Sequence, residues 1–240
     1  MAKKKKLNTV DLNRFSAKSV SEESKLIRVK VLIVCEGEKT EPNYFRSFSQ
    51  IANGSGYVYD VTTEGGGINT LWVVDKAAEL KKKAESIGQP YDTVWAVFDK
   101  DSFLDQNFDN AVAKARQLGI GCAWSNEAFE LWYVLHFDSR CTAMSRKDYQ
   151  HIIEARVNGS GKYQGKGKYV YKKNDKAART ILTTCGDEML AVRYAERLHK
   201  QFEGTAPHSA NPCTTVYELV RLLLGQDKNF NDAIKHSVDK

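Results

Sequence analysis

Short apolar runs alternate with amphipathic segments along the first 138 residues of the chain. The runs are brief, continuous and mostly rich in Val and Ile, which is typical of strands buried in a parallel sheet. The predicted strands cover residues 29–35, 57–62, 93–98 and 122–125. Between them, apolar positions recur with helical spacing in segments that begin at Thr40, Asn69 and Phe108. This alternation predicts an α/β fold, with a parallel sheet flanked by helices.

After His136 the hydrophobic pattern becomes mainly helical. Helices are predicted over residues 145–157, 175–184, 187–203 and 214–224. The first two are separated by a basic, Gly-rich loop, residues 158–174, which also contains three tyrosines. The sequence therefore predicts a disordered basic arm over residues 1–25, an α/β core over 26–138, and a helical extension over 139–240 that packs on the core.

Acidic residues directly follow two of the predicted strands. Glu36 and Glu41 come after the first strand, and Asp99 and Asp101 come after the third. Ligands of an open α/β sheet bind outside the carboxyl ends of its strands, so carboxylates from neighbouring strands would meet there. Several carboxylates in one place repel each other unless a cation lies between them, and Mg²⁺ or Mn²⁺ is the expected cofactor. The alternative for Asp99 and Asp101 is an ordinary turn with solvated aspartates.

Each carboxylate of this set has an expected role. Asp99 and Asp101 alternate, so they would point the same way in an extended segment. Together with Glu36 they are the predicted metal ligands. Glu36 is also expected to handle a proton in catalysis, with Glu41 or Glu130 assisting.

Glu130 interrupts a strongly apolar segment that is predicted to be a buried helix over residues 126–137. Because an unpaired buried carboxylate is costly, its partner should be a metal, an arginine or a backbone amide. Glu127 is expected in the first turn of the same helix, where the helix dipole favours an acidic residue. His136 is expected to be a core or helix-end histidine.

The chain carries an excess of basic residues, with a net charge of +6. They concentrate at Lys3–Lys6 and over residues 162–176, and such an excess beside an acidic pocket suits a polyanion such as nucleic acid. A solvated surface explains the same composition equally simply. Tyrosines in the basic loop would add rings for base stacking. The candidate nucleic-acid contacts are Lys39, Lys162, Lys166, Lys168, Lys172 and Lys173.

Cysteine usage and hydropathy set the expected compartment. The five cysteines show no paired C-x-x-C spacing, which argues against a zinc site and favours reduced thiols in a cytoplasmic protein. No apolar run approaches the roughly 18 residues that a membrane span needs, so no membrane association is expected. The lysines near the N-terminus are not followed by an apolar stretch, so no secretory signal is expected.

Four motifs, in order along the chain, closely resemble those of the RloB family. They are Val-Cys-Glu-Gly-Glu-Lys-Thr-Glu-Pro-Asn-Tyr-Phe at 34–45, Phe-Asp-Lys-Asp at 98–101, Ser-Asn-Glu-Ala-Phe-Glu-Leu-Trp-Tyr-Val-Leu-His-Phe at 125–137, and Asn-Pro-Cys-Thr-Thr-Val at 211–216. RloB-like proteins are similar to the Toprim superfamily of topoisomerases, primases and OLD-type nucleases. The Toprim pattern is a glutamate after the first strand and Asp-x-Asp after a later one, here Glu36, Asp99 and Asp101.

The resemblance implies a Toprim-like fold and a metal-dependent enzyme acting on nucleic acid. It also implies a setting among restriction and abortive-infection systems, beside an ABC or AAA-type ATPase. The chain has no Walker A motif, so that partner would be a separate protein. A homo-oligomer is compatible with the sequence.

The function expected from these features is an Mg²⁺- or Mn²⁺-dependent endonuclease that hydrolyses DNA or RNA, including tRNA, as the effector of an anti-phage system. One alternative is a non-catalytic nucleic-acid-binding or sensor subunit with the same fold. Another is a phosphatase of the haloacid dehalogenase type, in which Asp99 would be the nucleophile. That fold normally carries its Asp-x-Asp motif on the first strand, whereas here the motif follows later strands.

Overall fold

A computed structural model describes residues 26–49, 56–66, 69–101 and 104–238. The strands are β1 (Ile27–Cys35), β2 (Tyr57–Glu64), β3 (Thr93–Asp99), β4 (Gly121–Asn126) and β5 (Cys213–Thr214). The α-helices are α1 (Thr40–Arg46), α2 (Thr70–Ser86), α3 (Asp105–Gln117), α4 (Glu130–Val134), α5 (Arg146–Gly159), α6 (Ala178–Cys185), α7 (Glu188–Gln201), α8 (Val216–Leu223) and α9 (Lys228–Val238). The arm predicted over residues 1–25 lies outside the described residues.

The strands form one sheet in the order β2-β1-β3-β4-β5. The first four strands along the chain pair in parallel, and β5 pairs antiparallel with β4. The predicted α/β fold is therefore confirmed. Strands β1 and β3 are adjacent, with Cys35 opposite Val97, so the segments that follow them leave the sheet at the same edge.

Two hydrophobic layers cover the two faces of the sheet. Successive side chains of a strand point to opposite faces, so Val31 and Ile33 face one layer while Leu32 and Val34 face the other. The first layer includes residues of α1, α4 and the C-terminal helices, and the second includes residues of α2 and α3. Both faces are buried in the second half of β1, so residues 31–35 are continuously apolar, whereas Arg28 and Lys30 near its start are exposed.

The C-terminal part of the chain also completes the sheet. The hydroxyl of Thr214 donates to the carbonyl oxygen of Trp124 at 3.1 Å. The hydroxyl of Thr215 donates to the carbonyl oxygen of Cys122 at 3.1 Å and accepts from the N–H of Trp124 at 2.9 Å. These side chains lengthen the pairing of β5 with β4, which explains the buried Thr-Thr pair of the fourth motif. Neither β5 nor α9 was predicted. For β5 the reason is its length, because a two-residue strand has no periodicity to detect.

The helix predicted over residues 126–137 is shorter and begins later than expected. Within residues 126–137 only Glu130–Val134 is helical, so Glu130, rather than Glu127, is the acidic residue of the first turn. The carbonyl oxygen of Glu127 instead accepts from the N–H of Asp101 at 3.3 Å, outside the helix. Helix α1 begins at Thr40, as predicted, and the Thr40 hydroxyl donates to the carbonyl oxygen of Lys173 at 3.3 Å.

The tyrosines of the 158–174 loop contact the protein. Tyr169 is buried, and its N–H and carbonyl oxygen are both bonded by the Asn158 side chain, at 2.7 and 3.0 Å. Tyr163 packs edge-on against Tyr169, and the N–H of Tyr171 donates to the Glu154 carboxylate at 2.8 Å. An exposed stacking surface is therefore the wrong prediction for Tyr169, and the other two rings are partly covered by the core.

The cysteines and the lengths of the helices complete the description of the fold. All five cysteines are free thiols. Among the described residues, no helix combines the length and apolar character that crossing a membrane requires.

Candidate active site

A cavity of about 340 Å³ lies at the carboxyl edge of the sheet, where the segments after β1 and β3 meet. Its lining residues are Glu36, Gly37, Glu38, Lys39, Thr40, Glu41, Asp99, Asp101, Phe129, Glu130, Arg146 and Lys173. Every carboxylate that the sequence singled out for catalysis or metal binding is in this set. A larger cavity, about 710 Å³, lies beside α3 and β4 and contains none of them.

Glu36 lies directly after β1 and is tied to the end of β3. Its N–H donates to the carbonyl oxygen of Val97 at 2.9 Å, and its Oε2 accepts from the N–H of Asp99 at 3.1 Å. Burial raises the pKa of Glu36 to about 7, and the charges of Glu41 and Asp101 add to this effect while the Asp99 N–H opposes it. Glu36 can therefore change its protonation state near neutral pH.

Asp99 is the last residue of β3 and is buried, with 7% of its surface exposed. Its Oδ2 lies 3.4 Å from Nη2 of Arg146, whereas its Oδ1 is buried without a hydrogen-bond partner. The pKa of Asp99 is raised well above its ordinary value by burial and by the charges of Glu41 and Glu130, and Arg146 opposes this shift. A buried carboxylate oxygen without a partner leaves room for a ligand.

Asp101 reaches the cavity by a turn rather than by an extended segment. Its φ is +33°, in the left-handed region that Asp tolerates better than most residues. Its Oδ2 lies 3.2 Å from Nη1 of Arg146. The predicted alternation of Asp99 and Asp101 along a strand is therefore wrong in its geometry, although both carboxylates meet at the same guanidinium.

Glu41 is buried in the first turn of α1 and folds back over Gly37. A Cβ atom at position 37 would clash with Oε2 of Glu41, so any larger residue there would force the Glu41 side chain or the turn to shift. Burial raises the pKa of Glu41 and repulsion from Glu130 adds to it, while the N–H of Gly37 stabilises the charged form. The Glu41 carboxylate thus packs against the turn that follows Glu36, at Gly37.

Glu130 has the kind of partner that its buried position demands. Its Oε1 accepts from the hydroxyl of Tyr171 at 2.8 Å and from Nε2 of Gln150 at 3.1 Å. Its Oε2 lies 3.6 Å from Nε of Arg146. Of the partners expected from the sequence, an arginine is therefore present, together with two neutral donors that the sequence did not indicate.

Arg146 is the principal residue of the cavity that sequence reasoning missed. It is the first residue of α5, and its guanidinium contacts Asp99, Asp101 and Glu130. Burial lowers its pKa, but the three carboxylates more than offset this, so the net shift is upward. The only local signal is the Ser145–Asp148 capping box, which predicts where α5 begins but not where this side chain points.

The candidate nucleic-acid contacts divide into two groups. Lys39 and Lys173 line the cavity, and the Thr40 hydroxyl holds the backbone of Lys173 at its rim. The second group is exposed along the 158–174 loop and does not line the cavity: Lys162, Lys166, Lys168 and Lys172.

The chemistry of the site suits a hard divalent cation, although the present geometry places an arginine among the carboxylates. The available donors are carboxylate oxygens, the ligands that Mg²⁺ and Mn²⁺ prefer. The unpartnered Oδ1 of Asp99 is one such donor. Within the described residues, no group of three or more His, Cys, Asp or Glu side chains is already arranged to hold a metal. Glu36, Asp99 and Asp101 therefore remain the predicted ligands, with some rearrangement required.

His136 lies outside this cavity, in the core. Its Nδ1 is 3.0 Å from the carbonyl oxygen of Trp132, and its Nε2 is buried without a partner. Burial lowers the pKa of His136 to about 4, so the ring is neutral at physiological pH. The prediction of a core or helix-end histidine is confirmed.

Comparison with known proteins shows the family. A family model described as RloB-like protein matches residues 31–223, which include every residue of the cavity. The chain therefore belongs to the RloB-like family, as its motifs predicted. No curated protein and no solved structure gives a significant match.

Proposed function

We propose that this member of the RloB-like family is a metal-dependent nuclease that hydrolyses phosphodiesters of DNA or RNA, tRNA included. The observation that carries the proposal is the meeting of Glu36, Asp99 and Asp101, from two adjacent parallel strands, in one cavity. Ligand sites of open α/β sheets lie at this edge. The acidic lining suits a phosphate substrate only if a cation is also present.

The chain's own residues supply positioning and proton transfer. Asp99, Asp101 and Glu36 would hold Mg²⁺ or Mn²⁺, which supplies charge neutralisation of the phosphate and acidifies water. Glu36 is the candidate for proton transfer, and in the metal-free protein its pKa is raised to about 7 by burial. Glu41 and Glu130 are more deeply buried than Glu36 and line the same cavity. Tyr171 and Gln150 orient Glu130 by their hydrogen bonds.

The basic residues around the cavity support a polyanionic substrate. Lys39 and Lys173 line the cavity itself, so they can contact the phosphates beside the scissile bond. The exposed lysines of the 158–174 loop extend the positive surface from that rim. Nucleic-acid affinity should therefore fall as salt concentration rises.

The cellular setting is part of the same proposal. The enzyme acts in the cytoplasm as the effector of an anti-phage system and is restrained or licensed by a separate ABC or AAA-type ATPase. This part rests on the resemblance of the motifs to RloB-like proteins of defence loci. The free thiols are consistent with a reducing compartment. A homo-oligomer is also consistent with the proposal.

The proposal is tested by incubating the protein with labelled DNA, tRNA and other RNA in Mn²⁺, with and without the neighbouring ATPase. Cleavage by the wild type should fall about a hundredfold or more in Asp101→Asn, the scale of losing a group on which a transition state depends. Asp232→Asn removes an exposed aspartate of α9 and should cut at the wild-type rate. Equal rates in all three proteins would refute a role for Asp101.

A non-catalytic nucleic-acid-binding subunit is the second candidate. It is favoured by one observation: Arg146 already neutralises part of the acidic cavity. On that account the wild type binds nucleic acid without cutting it, and Glu36→Gln protects cells from phage as well as the wild type. The haloacid dehalogenase alternative is disfavoured, since Asp99 ends β3 rather than the first strand.

A further inference from the structure

The cation that the structure places among the site carboxylates is the guanidinium of Arg146. Nη2 lies 3.4 Å from Oδ2 of Asp99, Nη1 lies 3.2 Å from Oδ2 of Asp101, and Nε lies 3.6 Å from Oε2 of Glu130. Two of these three residues are the predicted metal ligands. Arg146 therefore holds the position between carboxylates that a divalent cation would need.

These contacts are longer than those of a tightly bound arginine in the same protein. Arg179 binds Glu188 through two N–H groups, with both distances at 2.7 Å. Charge-assisted N–H···O bonds are typically about 2.7–2.9 Å long. Arg146 instead shares its charge over three carboxylates at 3.2–3.6 Å. It balances charge without being locked onto one partner, so it is the more easily displaced of the two arginines.

One guanidinium does not neutralise the cavity. Six acidic side chains line it, against three basic ones, Lys39, Arg146 and Lys173. Asp99 is more than nine-tenths buried, and its Oδ1 has no hydrogen-bond partner. The site thus has both the charge and a free oxygen for a further cation.

The backbone of Arg146 is fixed while its side chain has a route to solvent. The Ser145 side chain accepts from the N–H of Asp148, and the Asp148 side chain accepts from the N–H of Ser145, which closes the start of α5. The Arg146 side chain is 31% exposed. Rotation about its own bonds can therefore carry the guanidinium out of the cavity without unwinding the helix.

We propose that Arg146 is an internal counter-ion that stabilises the metal-free site and that a divalent cation must displace in order to bind Asp99 and Asp101. This inference rests on the proposed function for the identity of the ligands. It gives Arg146 a positioning role, since it keeps the carboxylates together until the metal arrives. Metal affinity is then set by competition between two cations for the same oxygens.

The test is calorimetric titration of the metal-free protein with Mn²⁺. Arg146→Met should bind Mn²⁺ about tenfold more tightly than the wild type, since the ion no longer competes with a guanidinium for the same oxygens. Arg156→Met is the matched control on the same helix, because Arg156 pairs with Asp138 away from the cavity. Its affinity should equal that of the wild type. An affinity in Arg146→Met equal to or weaker than the wild type would overturn the proposal.

Thermal unfolding provides a second readout that needs no catalysis. In chelator, Arg146→Met should melt below the wild type, because the buried carboxylates lose their counter-ion, and Mn²⁺ should raise its melting temperature more than that of the wild type. If Arg146→Met does not fold, Arg146→Lys provides the test. The lysine side chain is shorter and its ammonium more compact, so it should reach fewer carboxylates and give a Mn²⁺ affinity above that of the wild type. An unchanged or lower affinity in that variant counts against the proposal.

The outcomes separate this inference from the nuclease proposal. Tighter Mn²⁺ binding by Arg146→Met, without cleavage by any preparation, supports the counter-ion role and refutes the nuclease proposal. Cleavage by the wild type, with equal Mn²⁺ affinities in wild type and Arg146→Met, supports the nuclease proposal and refutes the counter-ion role.

Discussion

At the scale of single residues, Gly37 is where the smallest substitution should disturb the site most. In Gly37→Ala the new Cβ would lie 2.2 Å from the buried Glu41 carboxylate, so Glu41 or the turn must shift. We expect the free energy of unfolding to fall by about 1–3 kcal/mol, as for other overpacked positions, and Mn²⁺ binding to weaken. Urea unfolding and calorimetry measure the two effects.

Gly159→Ala is the matched control. Position 159 ends α5, and a methyl carbon added there would have no heavy atom within 4 Å beyond its chain neighbours and the backbone of its own helix. Alanine favours the helix over glycine by up to about 1 kcal/mol, so this variant should be as stable as the wild type or slightly more stable. Equal destabilisation of both variants would show that Gly37 has no special requirement.

His136 should make the folded protein lose stability in acid. Burial lowers its pKa from 6.5 to about 4, so the unfolded chain accepts a proton that the folded protein resists. The neutral ring's contribution is therefore complete above pH 6.5 and is lost as the pH falls towards 4. The loss could reach about 3 kcal/mol. Urea unfolding at several pH values should show a smaller acid loss in His136→Gln than in the wild type.

Glu36 should have the opposite effect on stability. Its pKa is raised from 4.5 to about 7, so the folded protein holds a proton that the unfolded chain releases. This stabilising contribution is complete below pH 4.5 and is lost as the pH rises through about 7. In metal-free Glu36→Gln, stability should therefore decline less with rising pH than in the wild type. A steeper decline in that variant would contradict the burial of an ionisable Glu36.

At the scale of elements, the pairing of β5 with β4 should depend on the Thr215 hydroxyl. Thr215→Val leaves the partly buried carbonyl oxygen of Cys122 and the buried N–H of Trp124 without this partner. We expect a loss of about 2 kcal/mol in the free energy of unfolding. Thr183→Val is the control, since its exposed hydroxyl only bonds carbonyl oxygens of its own helix, and it should change stability by less than about 0.5 kcal/mol.

The 158–174 loop should bind nucleic acid mainly at the end that borders the cavity. Lys173 lines the cavity, whereas Lys166 is exposed away from it, and each alanine substitution removes one charge. Lys173→Ala should raise the dissociation constant for an oligonucleotide more than Lys166→Ala does, and lower the salt slope by about 1. Equal effects would show that the loop contributes only general charge. Fluorescence anisotropy at several salt concentrations makes this comparison.

The sequence was informative where local pattern and topology agree. Glu36, Asp99 and Asp101 could be found because each follows an apolar strand, and adjacent parallel strands end at one edge. Arg146 could not, because it meets Asp99 from 47 positions away and nothing local marks its side chain. The contact of Tyr171 could not be predicted for a related reason. The basic, Gly-rich loop around it suggested a solvent-exposed ring, but a hydrogen bond from its hydroxyl to Glu130 holds the side chain inward.

At the scale of the whole molecule, the helical extension is integrated with the α/β core. The hydroxyl of Tyr44 in α1 donates to Glu188 of α7 at 2.8 Å, and Arg179 of α6 binds the same carboxylate. Arg146 and Tyr171 bring the extension to the cavity itself. The site is therefore built from both parts of the chain, although its predicted metal ligands all come from the core.

We propose that carboxylates at the ends of β1 and β3 direct metal-dependent hydrolysis of a phosphodiester. This is tested by cleavage of labelled DNA and RNA in Mn²⁺ and heavy-oxygen water, with and without the proposed ATPase partner, followed by mass spectrometry of the new ends. We expect about one heavy oxygen atom per bond cut, because water is the nucleophile, and loss of cleavage in chelator and in Glu36→Gln. No cleavage of any substrate by the wild type, or cleavage at the same rate by Glu36→Gln, would contradict it.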